Sequence, residues 1–388
     1  MMITIKKIET KRDIERFIRF GERLYRHDPL YIPLLRTDLR RDLFKQLLHG
    51  KYDQPVAAFL AVRDGKPAGR IWLTLFLARP GTSTEKLQGA FNYFECVDDQ
   101  DVANFLFGVA DEWFTAQGVD YYYGNVNPKD PDDSRGILID GFDVAPVTMC
   151  VYNKSYYKKI FDTAGFGMNE DFVSYRIALD DIPYDRYRDT IDSLKQRFRF
   201  TVDSVDPNNV PKEAKDIITC MENSIGDDWD QRPPEPEKVY ELLDSWRRFL
   251  DFDYIKVART LEGEPIGFTM AVPNFNEILA RLHGRLGLFG LLKLLYYKKR
   301  ITTVRAMIQT VTIPYQGKGV INAMYATYFD LFRKRGVSWV DASTIAMTNY
   351  KSRNAIEKLG GKIYKVFRMY DRKLSVPAAT STQTRQDA

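Results

Sequence analysis

Hydrophobic and polar positions alternate in two stretches of the chain that have the same form. Residues 57–75 and residues 253–272 each hold two alternating apolar runs, separated by Asp64-Gly65 in the first stretch and Glu262-Gly263 in the second. Alternation with a period of two is typical of strands, and a turn dipeptide between two such runs predicts a β-hairpin. The sequence therefore predicts one hairpin in each half of the chain.

The segments around these hairpins repeat as well. Apolar residues three and four positions apart predict helices ahead of each hairpin, at 11–25 in the first half and at 211–225 and 236–250 in the second. A strand, a helix and a strand then follow, and each half ends with a helix, a glycine stop and a last strand. These segments are 89–97, 100–116, 119–126 and 156–179 in the first half, and 301–313, 320–335, 337–346 and 353–374 in the second.

The shared order predicts an α/β protein made of two similar domains. Each half reads β-α-(α)-β-β-β-α-β-α-β, and the charged stretch 180–198 is the predicted linker. We expect domains at 1–182 and 183–375, and a disordered tail at 376–388, which is small and polar. The alternative is a chance similarity between two ordinary α/β patterns.

The composition is that of a globular chain. It has 388 residues, of which 44% are hydrophobic and 28% are charged, enough for two domains with substantial cores. The net charge of +5 is small for this length and does not indicate a nucleic-acid partner. The three cysteines, Cys96, Cys150 and Cys220, fit neither a disulfide framework nor a zinc motif. We therefore expect no metal site and a reducing compartment.

The sequence predicts neither a signal peptide nor a membrane-spanning helix. Its first residues are charged and strand-like, without the apolar core of a signal peptide. No apolar run reaches the roughly 18 residues that a spanning helix requires. We expect a cytoplasmic protein.

The turn at residues 314–320 is the strongest candidate for chemistry. A β-branched strand ends there, Gln316-Gly317-Lys318-Gly319 follows, and an amphipathic helix begins at once. A helix start presents unpaired N–H groups and the positive end of the helix dipole, and glycines let a phosphate approach closely. The spacing is that of neither a nucleoside-triphosphate loop nor a dinucleotide fingerprint. On its own, the turn reads equally well as a tight strand-to-helix connection.

The surroundings of this turn resemble the GNAT (Gcn5-related) acyltransferase superfamily. Strand, Q-G-K-G, helix, strand and then "TNYKSRNAIEKLGG" follow that family's order over most of 198–374, although Ile321 stands where glycine or alanine is usual. The first half resembles the fold more weakly, so the whole chain resembles bacterial tandem-GNAT proteins. The resemblance implies two GNAT-like domains, each a mixed, mostly antiparallel twisted sheet flanked by helices.

The resemblance also implies a site for acyl-CoA in the second half. The pantetheine arm would lie along Gln309, Thr310 and Val311, and near Asn349 and Ser352. Asn349 is equally well explained as a helix N-cap, and Ser352 as a surface residue. The pyrophosphate would be held by the turn and the start of the helix: Gln316, Gly317, Lys318, Gly319, Val320, Ile321 and Asn322.

No catalytic residue follows from the sequence. The tyrosine that often protonates the thiolate in this family aligns with Ile356, and no Glu or His lies on 301–313 to act as a base. Tyr315 and Tyr350 are close in sequence but have no assigned role. In the first half, Asp98, Asp99 and Asp101 occupy the phosphate-loop position, where carboxylates would repel a pyrophosphate. That half is predicted to lack the cofactor and to serve structure or substrate binding.

Three further segments carry open alternatives. Residues 280–300 are basic and apolar without an acid, which suits a buried helix with basic ends, a lid, a membrane-surface contact or a dock for an acyl carrier protein. Residues 124–142 are predicted to form a solvated loop rather than a cation site of Asp130, Asp132 and Asp133. Residues 226–238 are predicted to form a solvated acidic loop. The alternative is that the loop borders the acceptor site, as the resemblance implies, and that Asp227, Asp228, Trp229 and Asp230 bind a cationic amine.

The leading hypothesis is an N-acyltransferase that moves an acetyl or longer acyl group from acyl-CoA to a small-molecule or peptide amine. A second hypothesis is an acyltransferase that uses an acyl carrier protein or an aminoacyl-tRNA as donor. The third is a degenerate GNAT pair that binds a ligand without catalysis, which Ile321 and Ile356 favour.

Overall fold

The computed structural model describes most of the chain, in eight segments: 2–48, 55–77, 87–127, 134–182, 184–224, 236–246, 251–282 and 296–375. Several predicted features lie outside these residues. They are the tail 376–388, the carboxylates Asp130, Asp132 and Asp133, most of the acidic loop 226–238, and residues 283–295 of the basic-apolar segment.

The first half has the predicted order of elements, with one additional strand. Side-chain caps fix two of its helices, because Thr10 accepts a hydrogen bond from the N–H of Asp13 and Asp99 accepts from those of Asp101 and Val102. In the described residues the elements are β1 (Ile3–Lys7), α1 (Lys11–Leu24), α2 (Arg36–Leu47), β2 (Val56–Arg63), β3 (Lys66–Leu77), β4 (Leu87–Cys96), α3 (Gln100–Ala116), β5 (Tyr121–Gly124), β6 (Ile137–Asp140), α4 (Tyr157–Thr163) and β7 (Gly167–Ala178).

The second half follows the same order with a helix ahead of it, a further helix after its hairpin and, among the described residues, no counterpart of β6. Its described elements are α5 (Tyr184–Phe198), β8 (Phe200–Ser204), α6 (Val210–Glu222), α7 (Pro236–Trp246), β9 (Ile255–Thr260), β10 (Pro265–Pro273), α8 (Asn276–Leu282), β11 (Thr303–Val311), α9 (Val320–Arg335), β12 (Trp339–Ala346), α10 (Tyr350–Lys358) and β13 (Lys362–Lys373). The predicted mixed α/β architecture with flanking helices is confirmed.

Two predicted irregular segments carry regular structure instead. Most of the predicted linker is α5, since Tyr184 and Ile191 are buried two turns apart and the Tyr184 ring stacks on Phe329 of α9 with centroids 4.2 Å apart. Strand β6 lies inside the predicted loop 124–142, because Ile137 and Leu138 are buried and β6 pairs with β13. The signal for β6 is the short apolar run 137–139, and the signal for α5 is the helical spacing of Ile191, Leu194 and Phe198 within a charged stretch.

The thirteen strands of the described residues form a single mixed sheet, in the order β1-β2-β3-β4-β5-β13-β7-β12-β11-β10-β9-β8, with β6 attached to β13. Most neighbours are antiparallel, but β4 with β5 and β11 with β12 are parallel. The strand that ends each half of the sequence pairs with a strand from the other half. Strand β7 pairs with β12, and β13 pairs with β5.

This exchange also joins the two cores. Val173, Tyr175 and Ile177 of β7 are buried in the core of the second half, and Tyr370 of β13 is buried in that of the first. The domain limits of 1–182 and 183–375 stay a prediction, and both end strands cross them. Within the described part of the chain, no helix is both long and apolar enough to cross a bilayer.

Candidate active site

A cavity opens where β11 and β12 separate. The two strands pair in parallel from Thr303 beside Trp339 to Ala306 beside Ala342, and pairing ends there. On the other edge of β12 the register with β7 shifts between Ala342 and Ile345. Beyond this point no strand of the described residues pairs with β11 on that side, and the gap belongs to a cavity of about 880 Å³.

The cavity reaches both faces of the sheet through this gap. Successive residues of a strand point to opposite faces of the sheet. On β7, Val173 packs in the core cluster that includes α9, whereas Phe172 packs on the opposite face with Val126 and Met369. We call the part on the first face the apolar arm, lined by Ile177, Leu179, Ile182, Phe329, Phe332, Val340 and Ile356. We call the other part the polar chamber, lined by Gln88, Tyr121, Tyr123, Arg135, Asn169 and Glu170.

The apolar arm is suited to a hydrocarbon chain. Its lining side chains come from β7 and the residues that follow it, and from β12, α9 and α10, and they carry no charge. Tyr328 also lines the cavity, but its hydroxyl is already engaged with the backbone carbonyls of Tyr254 and Thr269, at 2.7 and 2.9 Å. Burying each methylene of a ligand here would contribute about 0.8 kcal/mol.

The walls of the gap carry polar atoms that no protein group satisfies. The hydroxyl oxygens of Thr310 on β11 and Thr344 on β12 are buried without a hydrogen-bond partner, and both residues line the cavity. A buried hydroxyl in this state costs about 1–3 kcal/mol. A ligand with amide groups in the gap would satisfy them. Gln309 is held in place, because its side-chain oxygen accepts a hydrogen bond from the Tyr325 hydroxyl.

A buried polar cluster supports the gap from behind. The fully buried Arg305 donates hydrogen bonds to the side-chain and backbone oxygens of Ser343, at 3.1 and 3.3 Å. Asp341 accepts hydrogen bonds from Ser343 and Tyr364, and burial raises the pKa of its carboxyl while Arg305 opposes that rise. These contacts fix β12 at the residue where it leaves β11.

The predicted phosphate turn has the backbone that anion binding requires. Gly317 and Gly319 have φ of +77° and +79°, and no side chain caps the start of α9. The first N–H groups of that helix are therefore available to a ligand. Gln316 shapes the turn by donating to the carbonyl of Val311 at 3.1 Å, and Lys318 lies 4.8 Å from the centre of the Tyr315 ring.

The structure brings together part of the predicted cofactor set. Gln309, Thr310, Asn349 and Ser352 line the cavity, whereas Val311 is buried outside its lining. The remaining predicted residues form the turn and the first turn of α9: Gln316, Gly317, Lys318, Gly319, Val320, Ile321 and Asn322. Their contact with a cofactor stays a prediction.

Asn349 combines the two roles that the sequence left open. Its side-chain oxygen accepts a 3.1 Å hydrogen bond from the N–H of Ser352, which caps α10. Both residues also line the cavity. A capping asparagine can still present its amide N–H₂ to a ligand, so the cap does not prevent the predicted contact.

Sequence reasoning missed the residues that the first half contributes. Glu170 and Asn169 reach the cavity because their strand β7 lies next to β12, and Arg135, which precedes β6, lies over the ring of Phe172 on β7. Burial, and then the Asp371 carboxylate, raise the pKa of Tyr121 in the same chamber. No local pattern signals such contacts, since they come from the exchange of strands.

The tyrosines considered from sequence are not part of the described lining. Tyr350 is 67% exposed, and Tyr315 lies ahead of α9 in the predicted phosphate turn. Ile356 does line the cavity and is buried, so the position where the family often has an acid offers only a hydrocarbon surface.

The connection from β4 to α3, which corresponds in the first half to the connection from β11 to α9, is built differently. Asp99 caps α3 with its own carboxylate and also pairs with Arg63. Aromatic rings pack behind β4, where Phe91 stacks on Phe161 with centroids 5.6 Å apart and meets Phe166 at 6.2 Å. That the first half lacks a cofactor stays a prediction, and this arrangement agrees with it. Among the described residues, no group of three or more His, Cys, Asp or Glu side chains is arranged to hold a metal ion.

Two curated proteins resemble the chain over nearly its whole length. Protein YghO of Escherichia coli (strain K12) is 26% identical over 384 residues, which cover 95% of each chain. The bacterial ceramide synthase of Caulobacter vibrioides (strain NA1000 / CB15N) is 25% identical over 380 residues, which cover 96% of this chain and 98% of that protein. The sequence matches no family model.

The fold of the chain is similar to that of several solved structures. A tandem GNAT protein from the clavulanic acid biosynthesis pathway has a TM-score of 0.57 at 9% identity, covering 97% of this chain and all of that one. The GCN5-related glucosamine N-acetyltransferase region of a fungal multi-domain GH3 β-N-acetylglucosaminidase gives 0.59 at 14% identity, covering 96% of this chain and 38% of that longer one. A GCN5-related N-acetyltransferase from Sphaerobacter thermophilus gives 0.52 at 13% identity, covering 96% and 95%. The chain thus has a tandem GNAT fold.

Proposed function

We propose that the protein is an acyl-CoA-dependent N-acyltransferase whose active site is the gap between β11 and β12. The observation that carries the proposal is the continuity of this gap with a large cavity whose walls hold the unpartnered hydroxyls of Thr310 and Thr344. The uncapped start of α9 lies directly after β11 and supplies N–H groups for the pyrophosphate. The tandem GNAT fold supports the same reading.

The donor would occupy three successive parts of the molecule. The turn around Gly317 and Gly319 receives the pyrophosphate, and the gap receives the pantetheine arm beside Thr310 and Asn349. The apolar arm receives the acyl chain, because the lining side chains there are hydrocarbon or aromatic. An arm of this kind favours a long acyl chain over an acetyl group, since each buried methylene adds about 0.8 kcal/mol.

We propose that the acceptor is a long-chain amine. One curated relative is named a bacterial ceramide synthase, and a ceramide is the amide of a fatty acid with a sphingoid base. In the reaction, the amine nitrogen forms a bond to the thioester carbonyl carbon and the carbon–sulfur bond breaks. The nitrogen loses one proton as the amide forms, and the sulfur takes one proton to become the free thiol of CoA. An acceptor that arrives as an ammonium ion first gives one further proton to a base.

The direct test is turnover by the full chain. Palmitoyl-CoA, octanoyl-CoA and acetyl-CoA are each incubated with sphinganine, and both the free thiol and the amide product are measured. We expect thiol release that depends on sphinganine and is fastest with palmitoyl-CoA. Binding is measured in parallel by the melting temperature. A donor present at a concentration of 100 times its dissociation constant adds about 2.7 kcal/mol to the free energy of unfolding and raises the melting temperature. Absence of any shift with all three thioesters would refute the proposal.

Two other functions have different outcomes in this test. If the donor is carried by a protein or a tRNA, palmitoyl-acyl carrier protein or an aminoacyl-tRNA is consumed where palmitoyl-CoA is not. If the chain is a binding module, a thioester raises the melting temperature but no thiol is released with any amine. The buried Ile356, which replaces a proton donor, is the feature that favours this last function.

A further inference from the structure

Glu170 gives the polar chamber its negative charge. It is the one carboxylate among the described lining residues, and it comes from β7, the strand that the first half places in the second. The side chain is half-buried, and its Oε1 accepts a 2.6 Å hydrogen bond from the Thr348 hydroxyl. Thr348 thus fixes the position of one carboxylate oxygen, and the other remains free to meet a ligand.

Glu170 also stands beside the proposed donor site. Its partner Thr348 directly precedes Asn349, and all three residues line the cavity. The carboxylate therefore lies where the polar chamber meets the proposed pantetheine arm. An acceptor in this chamber would approach the thioester from the face of the sheet opposite to the apolar arm.

The neighbouring charges already have partners. Asp171, the next residue on β7, receives two 2.8 Å hydrogen bonds from Arg368. Asp371 accepts a 3.0 Å hydrogen bond from the Tyr121 hydroxyl. Arg135, the cation of the chamber, lies 5.0 Å from the centre of the Phe172 ring. A cationic ligand that enters the chamber would find its best-placed counter-charge at Glu170.

We propose that Glu170 binds the ammonium group of the acceptor and takes the proton that this group must lose, an inference that rests on the proposed function. The neutral amine left after this transfer attacks the thioester carbonyl. Glu170, now a carboxylic acid, returns the proton to water. The first half of the chain then supplies the acceptor site and the base, whereas the second half holds the donor.

The test measures binding separately from turnover. Isothermal titration gives the dissociation constants of dodecylamine and of 1-dodecanol, which has the same chain without a cation, for the full chain and for Glu170→Gln. We expect dodecylamine to bind at least tenfold more tightly than dodecanol, and Glu170→Gln to remove most of that difference. Equal affinity of the unchanged protein and the variant for dodecylamine would overturn the proposal, as would the absence of any preference for the amine.

Two variants serve as controls. Glu357→Gln removes another carboxylate that accepts a 2.6 Å bond from a hydroxyl, that of Tyr175, but Glu357 is outside the cavity lining, so dodecylamine binding should stay unchanged. Glu170→Asp keeps the charge and should recover part of the preference for the amine. The dissociation constant of CoA should be the same in all variants, because the donor site is intact.

Turnover separates the two proposals from each other. If the unchanged protein acylates sphinganine, Glu170→Gln should lower kcat/KM for sphinganine at least tenfold at saturating palmitoyl-CoA. An undiminished kcat/KM would overturn the role of Glu170 and leave the proposed function intact. If no thioester binds or reacts, the proposed function fails, and the dodecylamine titrations still decide whether Glu170 holds an ammonium group.

Discussion

Arg368 of β13 and Asp171 of β7 stand directly opposite each other in the sheet and are joined by two hydrogen bonds of 2.8 Å. Each belongs to the last strand of its own half, and each strand has crossed into the sheet of the other half. Both side chains are about one-fifth exposed, and the Asp171 carboxylate raises the pKa of the guanidinium. This bidentate pair holds the two exchanged strands together at their centre.

Removing either member of the pair should destabilise the whole protein. Arg368→Ala leaves Asp171 partly buried without its partner, and we expect the free energy of unfolding to fall by about 1–3 kcal/mol. Because β7 packs in the core of the second half and β13 packs in that of the first, a single cooperative transition should shift, as followed by urea denaturation with circular dichroism.

A double-mutant cycle isolates the interaction. The double variant Asp171→Ala, Arg368→Ala should lose less stability than the sum of the two single changes, by about 1 kcal/mol or more. The exposed pair Arg199–Glu262, with 69% and 65% exposure, is the matched control and should give a coupling energy near zero. Additive effects at Arg368 and Asp171 would show that the pair does not hold the strands together.

Gly317 allows the proposed phosphate site to be tested by charge alone. Its φ is +77°, and a Cβ added there would have no neighbour within 4 Å. Asparagine and aspartate both tolerate this backbone conformation. Gly317→Asp should therefore weaken CoA binding at least tenfold relative to Gly317→Asn, as measured by titration calorimetry, because only the aspartate repels the pyrophosphate. Equal affinities would place the phosphate elsewhere.

Substitutions in the first half complete this comparison. Asp98→Asn and Asp101→Asn change exposed carboxylates at the equivalent helix start, and CoA affinity should not change. Gly319→Asp should abolish CoA binding, although its Cβ would also meet the Leu194 side chain at 2.5 Å. If Asp98→Asn or Asp101→Asn also lowers the affinity for CoA, the assignment of the site to the second half is wrong.

The elements of each half could be predicted because their signals are local. Alternation around Asp64-Gly65 and Glu262-Gly263 was enough for the hairpins β2–β3 and β9–β10, which are confirmed. The sequence left open whether Asn349 is a helix cap, a cofactor contact or both, and its side chain does cap α10. Such features depend on neighbours a few residues away, so a single sequence contains them.

The exchange of the last strands has no local signal. The side chains of β7 would alternate between the two faces of the sheet in the same way whether β7 paired with β5 or with β12. Both β5 and β12 are paired in parallel with another strand, β4 and β11 respectively, so they offer β7 similar edges. The choice is made by packing between the halves, as at Arg368 and Asp171. Glu170 therefore could not be assigned to a site in the second half from the sequence alone.

Ala342 offers a test of the acyl chain's position. It is the last residue of β12 that pairs with β11, it is 6% exposed, and it lines the cavity. Ala342→Leu should fill the space between the gap and the apolar arm. We expect turnover of palmitoyl-CoA to fall at least tenfold, with a much smaller loss for acetyl-CoA and an unchanged dissociation constant for CoA.

A second overpacked variant controls for general damage. Ala271→Leu enlarges a fully buried alanine of β10 outside the described lining of the cavity. Overpacking costs about 1–3 kcal/mol at either site, so the two variants should have similar melting temperatures. Only Ala342→Leu should change the preference for chain length. A uniform loss with all thioesters would mean that the acyl chain does not enter the apolar arm.

Lys365 should make stability depend on pH in the alkaline range. The side chain is buried on β13, and its Nζ donates to the carbonyls of Gly141 and Val144 at 2.6 and 2.5 Å. Burial lowers the pKa of Lys365 from 10.5 to about 8, against the opposing influence of Cys150, Asp143 and Asp341. The unfolded chain therefore holds this proton more tightly than the folded protein does.

The sign of the effect follows from this difference in proton binding. Between about pH 8 and pH 10.5 the unfolded state binds more protons, so the contribution of Lys365 to the free energy of unfolding rises with pH and is lost again as pH falls through 8. Subtracting the unfolding free energy of Lys365→Met from that of the unchanged protein should give a difference that grows by about 2 kcal/mol from about pH 7 to pH 10. Urea titrations across this range measure it, with Lys362→Met as the control because Lys362 is exposed on the same strand. Parallel pH curves for Lys365→Met and the unchanged protein would mean that Lys365 keeps its ordinary pKa, and that the carbonyls of Gly141 and Val144 compensate fully for its burial.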